Sequence, residues 1–331
     1  MLVISPQAPQ RLSYLSDSVA TSTEELPLNE REREGLLSSW VQPSSNSEKD
    51  QQERAERMVR NAIQAWPAFK STSLLIYAKG SYPNNTNVRA DSDVDIVVEC
   101  HECAYFDYQT DVEPPPRSGS PYNGKWTPTV WRDEVGNALS SYFGRQGVDL
   151  SGRVALNVKS VAGSRPSADV VPSFDYFRYR DAKRHSSFHG SCVFDKNLNQ
   201  IVNWPQQQLD NGRSKNTATS GRYKKFVRAL KRCENKLVEI GEIENLPSYF
   251  MECLVWNVKN PTLSSGNTLQ AGFRATLYEM WEAVENDEAQ AKWEEPNELK
   301  WLFKGHKKWT TSDARNLVQA TWTYLGYGSS R

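Results

Sequence analysis

Residues 1–30 mix large apolar side chains with Ser, Pro, Gln and Glu, which make up 13 of the 30. A stretch so rich in these residues is expected to be a flexible or loosely packed extension. Patterning begins at residues 30–40, which read as a short helix, and Gln42-Pro43-Ser44-Ser45-Asn46-Ser47 then breaks the chain with capping residues. Beyond the break, Ala55, Met58, Val59, Ala62, Ile63 and Trp66 recur at spacings of three, one, three, one and three. That is one apolar stripe on a long helix, stopped at Trp66-Pro67.

The period then shortens. Residues 73–78 read as a buried strand, interrupted by Gly80-Ser81 and a polar loop to Asp91. Residues 94–99 alternate as a second strand, and residues 107–128, with Pro114-Pro115-Pro116, form a loop or flap. A helix is expected over 129–146, strands over 154–161 and 168–174, and a hairpin over 188–194 and 200–204 around Asp195-Lys196-Asn197-Leu198-Asn199. After Pro205 the strand signals vanish. Thr219 or Ser220 can cap a helix whose apolar face is Tyr223, Phe226, Val227, Leu230, Leu237 and Ile240, and further helices are expected around 249–256, 269–285 and near the C-terminus. The layout is α+β: an extension over 1–30, a mixed-sheet core over 31–204 and a helical lobe over 205–331.

Composition narrows the classes. The chain has 331 residues, enough for two lobes around one site. Lys plus Arg equals Asp plus Glu at 40 each, which argues against a protein that grips long nucleic acid over its whole surface. A small anionic substrate needs only a local basic patch. Five cysteines in a chain of this length do not read as a disulfide framework. With no apolar run of membrane-spanning length and no secretory pattern at the N-terminus, a cytoplasmic protein is expected, without a membrane partner.

The chemistry concentrates between Lys79 and Val98. Asp93 and Asp95 are two apart at the start of an expected strand, so both side chains leave one face. Two carboxylates in one space repel unless a cation joins them, and Mg²⁺ takes hard oxygen ligands, commonly one or two carboxylates with substrate phosphates. Gly80-Ser81 follows a buried strand, with eleven residues between Ser81 and Asp93. Glycine permits close backbone approach, and the N–H groups and Ser hydroxyl can cradle phosphate oxygens. Asp-x-Asp alone is common on solvated strand edges, and Gly-Ser alone is usually a turn. Buried strand, Gly-Ser, spacer and Asp-x-Asp together point to triphosphate chemistry on a metal platform.

That spacing matches the Gly-Ser…Asp-x-Asp signature of polymerase-β-like nucleotidyltransferases. The fuller string, with Thr86, Arg89 and Ser92-Asp93-Val94-Asp95, resembles the CD-NTases, bacterial relatives of animal cyclic GMP-AMP synthase that make cyclic di- or trinucleotides as anti-phage signals. Asp169-Val170-Val171-Pro172 resembles the family segment with the third carboxylate, and Lys215-Asn216-x-x-Thr219 through Arg228-Ala229-Leu230-Lys231 resembles the entry into its helical lobe. The resemblance spans roughly residues 35 to 260. It implies a polymerase-β-like core with the active site in a cleft before the helical lobe. It also implies Asp93, Asp95 and Asp169 as catalytic metal ligands, with two Mg²⁺ or Mn²⁺ ions. Gly80, Ser81, Lys231, Ser248 and Tyr249 would be the nucleotide-binding residues. ATP, GTP or other nucleoside triphosphates would be substrates, pyrophosphate a product, and partners would be an effector that binds the cyclic nucleotide and regulators of the same defence system. Two rival readings share part of this: a transferase acting on RNA ends or a small-molecule acceptor, and a catalytically silent nucleotide sensor.

Two other groups bear on the site. Arg213, Lys215, Arg222, Lys224, Lys225, Arg228, Lys231 and Arg232 fall in 22 residues that hold no acid, which reads as a solvated basic face or as a triphosphate clamp. His185-x3-His189-x2-Cys192 and Cys100-His101-x-Cys103 offer zinc ligand types. Neither is followed by a second cysteine pair, and His189 and Cys192 sit in an expected strand, so both read against bound zinc.

Overall fold

The computed structural model describes residues 28–43, 45–88, 93–116, 121–305 and 308–328. Residues 1–27 of the expected extension lie outside them, as do Arg89 and Ser92. Helices α1 (Glu30–Trp40) and α2 (Asn46–Ala65) each start in a capping box, Asn29 with Glu32 and Ser45 with Glu48. The α2 stripe buries Ala55, Val59, Ala62 and Ile63, as its spacing requires. Strands β1 (Leu74–Ala78) and β2 (Val94–Tyr108) follow, then α3 (Pro128–Phe143), β3 (Val148–Asp149), β4 (Leu156–Val158), β5 (Ala168–Tyr179), β6 (Ser187–Phe194) and β7 (Gln200–Asn203).

The sheet runs β1-β2-β5-β4-β3, with β6 on the far half of β5 and β7 on β6. The β2–β5 pair is parallel; the other pairs are antiparallel. Strand β5 is long enough to serve two neighbours, β4 along residues 168–170 and β6 along residues 174–179. One face packs on helices. Trp131 of α3 is fully buried, donates Nε1–H to the Val98 carbonyl at 3.1 Å and lies 6.2 Å from the Phe174 ring. Alternation sends Ile96, Val98, Val170 and Phe174 to that face. The other face therefore carries Asp95, Val97 and Glu99 from β2 and Asp169, Val171 and Ser173 from β5.

The rest is helical: α4 (Pro205–Ala218), α5 (Arg222–Glu239), α6 (Ser248–Asn257), α7 (Asn260–Leu263), α8 (Leu269–Glu285), α9 (Glu288–Lys292) and α10 (Thr311–Tyr324). Their core includes the fully buried Phe226, Leu230, Phe250, Phe273, Leu277 and Leu317. No helix among the described residues is long and apolar enough to cross a membrane.

The chain separates into a sheet unit, Ser44–Asp210, and a helical unit in which the described residues before 44 join Asn211–Arg331. This corrects the expected division at 31–204. Helix α1 belongs with the helices: Leu37 is fully buried in their core, and Glu34 accepts the Leu269 and Gln270 N–H groups at 3.0 and 2.7 Å. Two of α8's otherwise unpaired N-terminal donors are thereby satisfied.

Candidate active site

Asp95 and Asp169 stand directly opposite each other in the parallel register of β2 and β5. Adjacent strands lie about 4.8 Å apart, so two carboxylates at one register position share one space. Burial raises the pKa of Asp95; Lys79 opposes the rise, while Asp169 and Asp93 add to it. Asn157 of β4 is paired opposite Asp169 and donates Nδ2–H to its Oδ1 at 2.9 Å. The row Asp95, Asp169, Asn157 thus crosses three strands. Asp93 lies just before β2 and is exposed.

Gly80 abuts this row. Its φ is +78°, and a Cβ there would meet Asp95 Oδ2 at 2.7 Å. The Lys79 N–H bonds the Asp95 carbonyl at 2.9 Å, which ties the Gly-Ser turn to β2. Ser81 begins a compact turn in which the Asn85 N–H reaches the Tyr82 carbonyl at 2.8 Å and the Thr86 N–H reaches the Ser81 carbonyl at 2.9 Å. Gly80 and Ser81 are both part-exposed. The sheet unit therefore joins Gly80, Ser81, Asp95 and Asp169 into one locality. Sequence reasoning gave no role to Asn157 or Lys79; Asn157 is found only from strand register, which a lone sequence does not reveal.

The donor set fits a divalent cation. Paired carboxylates, one of them part-buried and made harder to ionise by that burial and by the other aspartates, are relieved by a cation between them. Asp93, Asp95 and Asp169 would hold it.

Lys231, Ser248 and Tyr249 lie in the helical unit. Ser248 is the exposed first residue of α6. Tyr249 packs inward: its ring is 6.3 Å from Trp309, and its hydroxyl donates to Glu295 at 3.4 Å. Lys231 is 2% exposed; burial lowers its pKa, while Glu252 beside it holds the proton on and Arg228 works against it. Half of the basic run serves the fold. Lys215 Nζ donates to the Val258 carbonyl at 2.9 Å, Arg222 to those of Ser265 and Gly266, Arg228 to that of Val41, and Arg232 to that of Gln42. Charge counting could not separate such carbonyl clamps from phosphate ligands.

Comparison with known proteins shows the family. Residues 210–326 match the cGAS/DncV-like nucleotidyltransferase C-terminal helical domain. The chain is 32% identical over 294 residues to the cyclic dipyrimidine nucleotide synthase CdnE of Legionella pneumophila, covering 88% of this chain and 97% of that one. Its structure resembles the Elizabethkingia meningoseptica CdnE cyclic dinucleotide synthase with GTP and Apcpp at TM-score 0.73 and 29% identity, covering 89% and 99% of the two chains. It also resembles the Rhodothermus marinus CdnE c-UMP-AMP synthase with Apcpp and Upnpp, at TM-score 0.75 and 25% identity, covering 90% and 98%. A polymerase-like sheet carrying opposed aspartates beside a Gly-Ser turn, with full-length likeness to these synthases, makes the chain a nucleotidyltransferase of the CD-NTase family, of the CdnE type.

Proposed function

We propose that this protein condenses nucleoside triphosphates into a cyclic di- or trinucleotide, a second messenger for an effector in bacterial anti-phage defence. The observation that carries the reading is the register pairing of Asp95 with Asp169 beside Gly80, in a chain that matches CdnE synthases along nearly their whole length. Asp93, Asp95 and Asp169 would hold two divalent ions, Mg²⁺ or Mn²⁺, which when bound supply charge stabilisation for attacking and leaving oxygens. The chain's own work is positioning. Asn157 fixes one oxygen of Asp169. The backbone at Gly80 and the Ser81 hydroxyl would take phosphate oxygens. Lys231, Ser248 and Tyr249 would contribute to nucleotide binding from the helical unit, as the family resemblance implies. A ribose hydroxyl then attacks the α-phosphate in line and pyrophosphate leaves; the last such transfer, the second for a dinucleotide and the third for a trinucleotide, closes the ring and releases another pyrophosphate.

The relatives' names point to different bases, pyrimidines in one and GTP with an ATP analogue in another, so the test supplies all four. Incubation with the four nucleotides and Mg²⁺ should yield a phosphatase-resistant cyclic product and pyrophosphate. Asp93→Asn with Asp95→Asn should abolish both while leaving the circular dichroism spectrum intact. Product from that double variant sinks the site assignment. Product only when an RNA or small-molecule acceptor is added favours the acceptor-dependent transferase, and nucleotide binding without pyrophosphate release favours a silent sensor.

A further inference from the structure

A second group of potential metal ligands lies on the same sheet. Glu99 of β2, Asp175 of β5 and His189 of β6 each offer a ligand atom, and these atoms lie within 4.8 Å of one another. Asp175 is six residues beyond Asp169 on β5, roughly 20 Å at the rise of an extended strand, so the group is separate from the proposed catalytic carboxylates. Between Cys100 and Ala104 the β2–β5 register shifts, because β2 bulges there. The bulge brings His101 over the group, with Nε2 at 3.2 Å from Glu99 Oε1 and 3.5 Å from Asp175 Oδ1. Bulges commonly re-aim a side chain next to a site.

We infer that Glu99, Asp175 and His189 bind a divalent transition metal of the zinc class, with His101 as the flanking group that orients the carboxylates. Geometry supports this. His189 Nε2 is 2.8 Å from Asp175 Oδ1. Metal–ligand bonds of about 2.1 Å in a tetrahedral site put neighbouring ligand atoms about 3.4 Å apart, so small adjustments seat an ion. Charge supports it too. One divalent ion neutralises the two carboxylates that face the two imidazoles. An independent observation is Ser191, 3% exposed on β6. It stands opposite Asp175 in the β5–β6 register, and its hydroxyl finds no hydrogen-bond partner. A buried hydroxyl left in this state marks room for a ligand or its bound water. Imidazole with carboxylate selects zinc-like ions over magnesium. The ion would staple β2, β5 and β6 together. His185 and Cys192, the neighbours that spacing alone suggests for His189, are not in the set.

The test uses the full chain with Asp93→Asn, Asp95→Asn and Asp169→Asn, so that the other carboxylates no longer bind metal. Stripped of metal and titrated with zinc, it should bind about one ion per chain and gain thermal stability. Adding His189→Gln should weaken zinc binding roughly tenfold or more, whereas His185→Gln should leave it unchanged. Absence of zinc binding, or binding indifferent to His189→Gln, overturns the inference and leaves a proton-sharing network. If His189→Gln does not fold, zinc-edge X-ray absorption of the triple variant decides. Mixed imidazole and oxygen donors uphold the site, and an oxygen-only or sulfur-containing shell overturns it. None of these outcomes depends on nucleotide turnover.

Discussion

A methyl group at position 80 would sit 2.7 Å from Asp95 Oδ2, on a backbone already at φ +78°. Both facts require glycine, and both belong to the site. Holding a non-glycine residue in the left-handed region costs about 1–2 kcal/mol, and the added carbon must push the carboxylate away. Gly80→Ala is therefore expected to lower thermal stability slightly and kcat by about a hundredfold, the usual consequence of an error of about 1 Å in a reacting group. Steady-state pyrophosphate release measured beside a melting curve separates the two effects; an active Gly80→Ala enzyme would mean that Asp95 can act from another position. In the sequence, Gly80 was legible as a site residue through its spacing to Asp93, but its physical reason was not. A phosphate cradle was expected, and the structure adds a carboxylate packed against the glycine. Asp169 was legible only by resemblance, because its partnership with Asp95 is made by parallel pairing across 74 residues of chain.

At the level of elements, the turn between β6 and β7 shows how a single carboxylate can organise local structure. Asp195 is buried and accepts from the Asn197 and Asn199 N–H groups at 2.9 and 2.8 Å, from Asn199 Nδ2 at 3.0 Å and from Arg153 Nε at 3.0 Å. Its pKa falls to about 2, mainly through the Asn199 side chain, with the backbone donors and Arg153 adding to it. A carboxylate depressed in the folded state contributes stability above its unfolded pKa and loses it as pH falls through the folded value. Asp195→Asn should thus lower the urea midpoint at pH 7. The deficit should shrink between pH 3.8 and about 2, where the parent loses the same contribution. A deficit constant with pH would show that the turn does not depend on the charge. Sequence patterning placed this hairpin well because the turn residues Asp195-Lys196-Asn197-Leu198-Asn199 separate two short apolar stretches. It ended β2 at Glu99 and β5 at Phe174, although they run to Tyr108 and Tyr179. The bulge hides the first continuation, and Asp175 and Arg178 interrupt the apolar run of the second without a regular alternation. Helix α4 went unseen because only Gly212 on it is buried, so no apolar stripe exists to be read.

Across the whole molecule, the helical unit is assembled from two stretches separated by the entire sheet unit. Only tertiary contacts join them, which is why a reading along the chain attached α1 to the wrong neighbour. The contacts are specific. Besides Leu37 and Glu34, Arg33 donates to the Leu325 and Gly326 carbonyls at 3.3 and 3.1 Å, and Arg228 to that of Val41 at 2.8 Å. Helix α1 thereby closes the C-terminal end of α10, the N-terminus of α8 and the flank of α5. Removing a fully buried leucine from such a junction costs about 2–5 kcal/mol. Leu37→Ala should express that loss within one unit. Amide exchange should quicken in α5, α8 and α10 and stay near the parent rate in β2 and β5, because local opening follows cooperative units. Peptide-resolved hydrogen exchange reads both at once. Equal acceleration in the sheet strands would show instead that the chain unfolds as a single body, and that the division at Ser44 and Asp210 has no energetic counterpart.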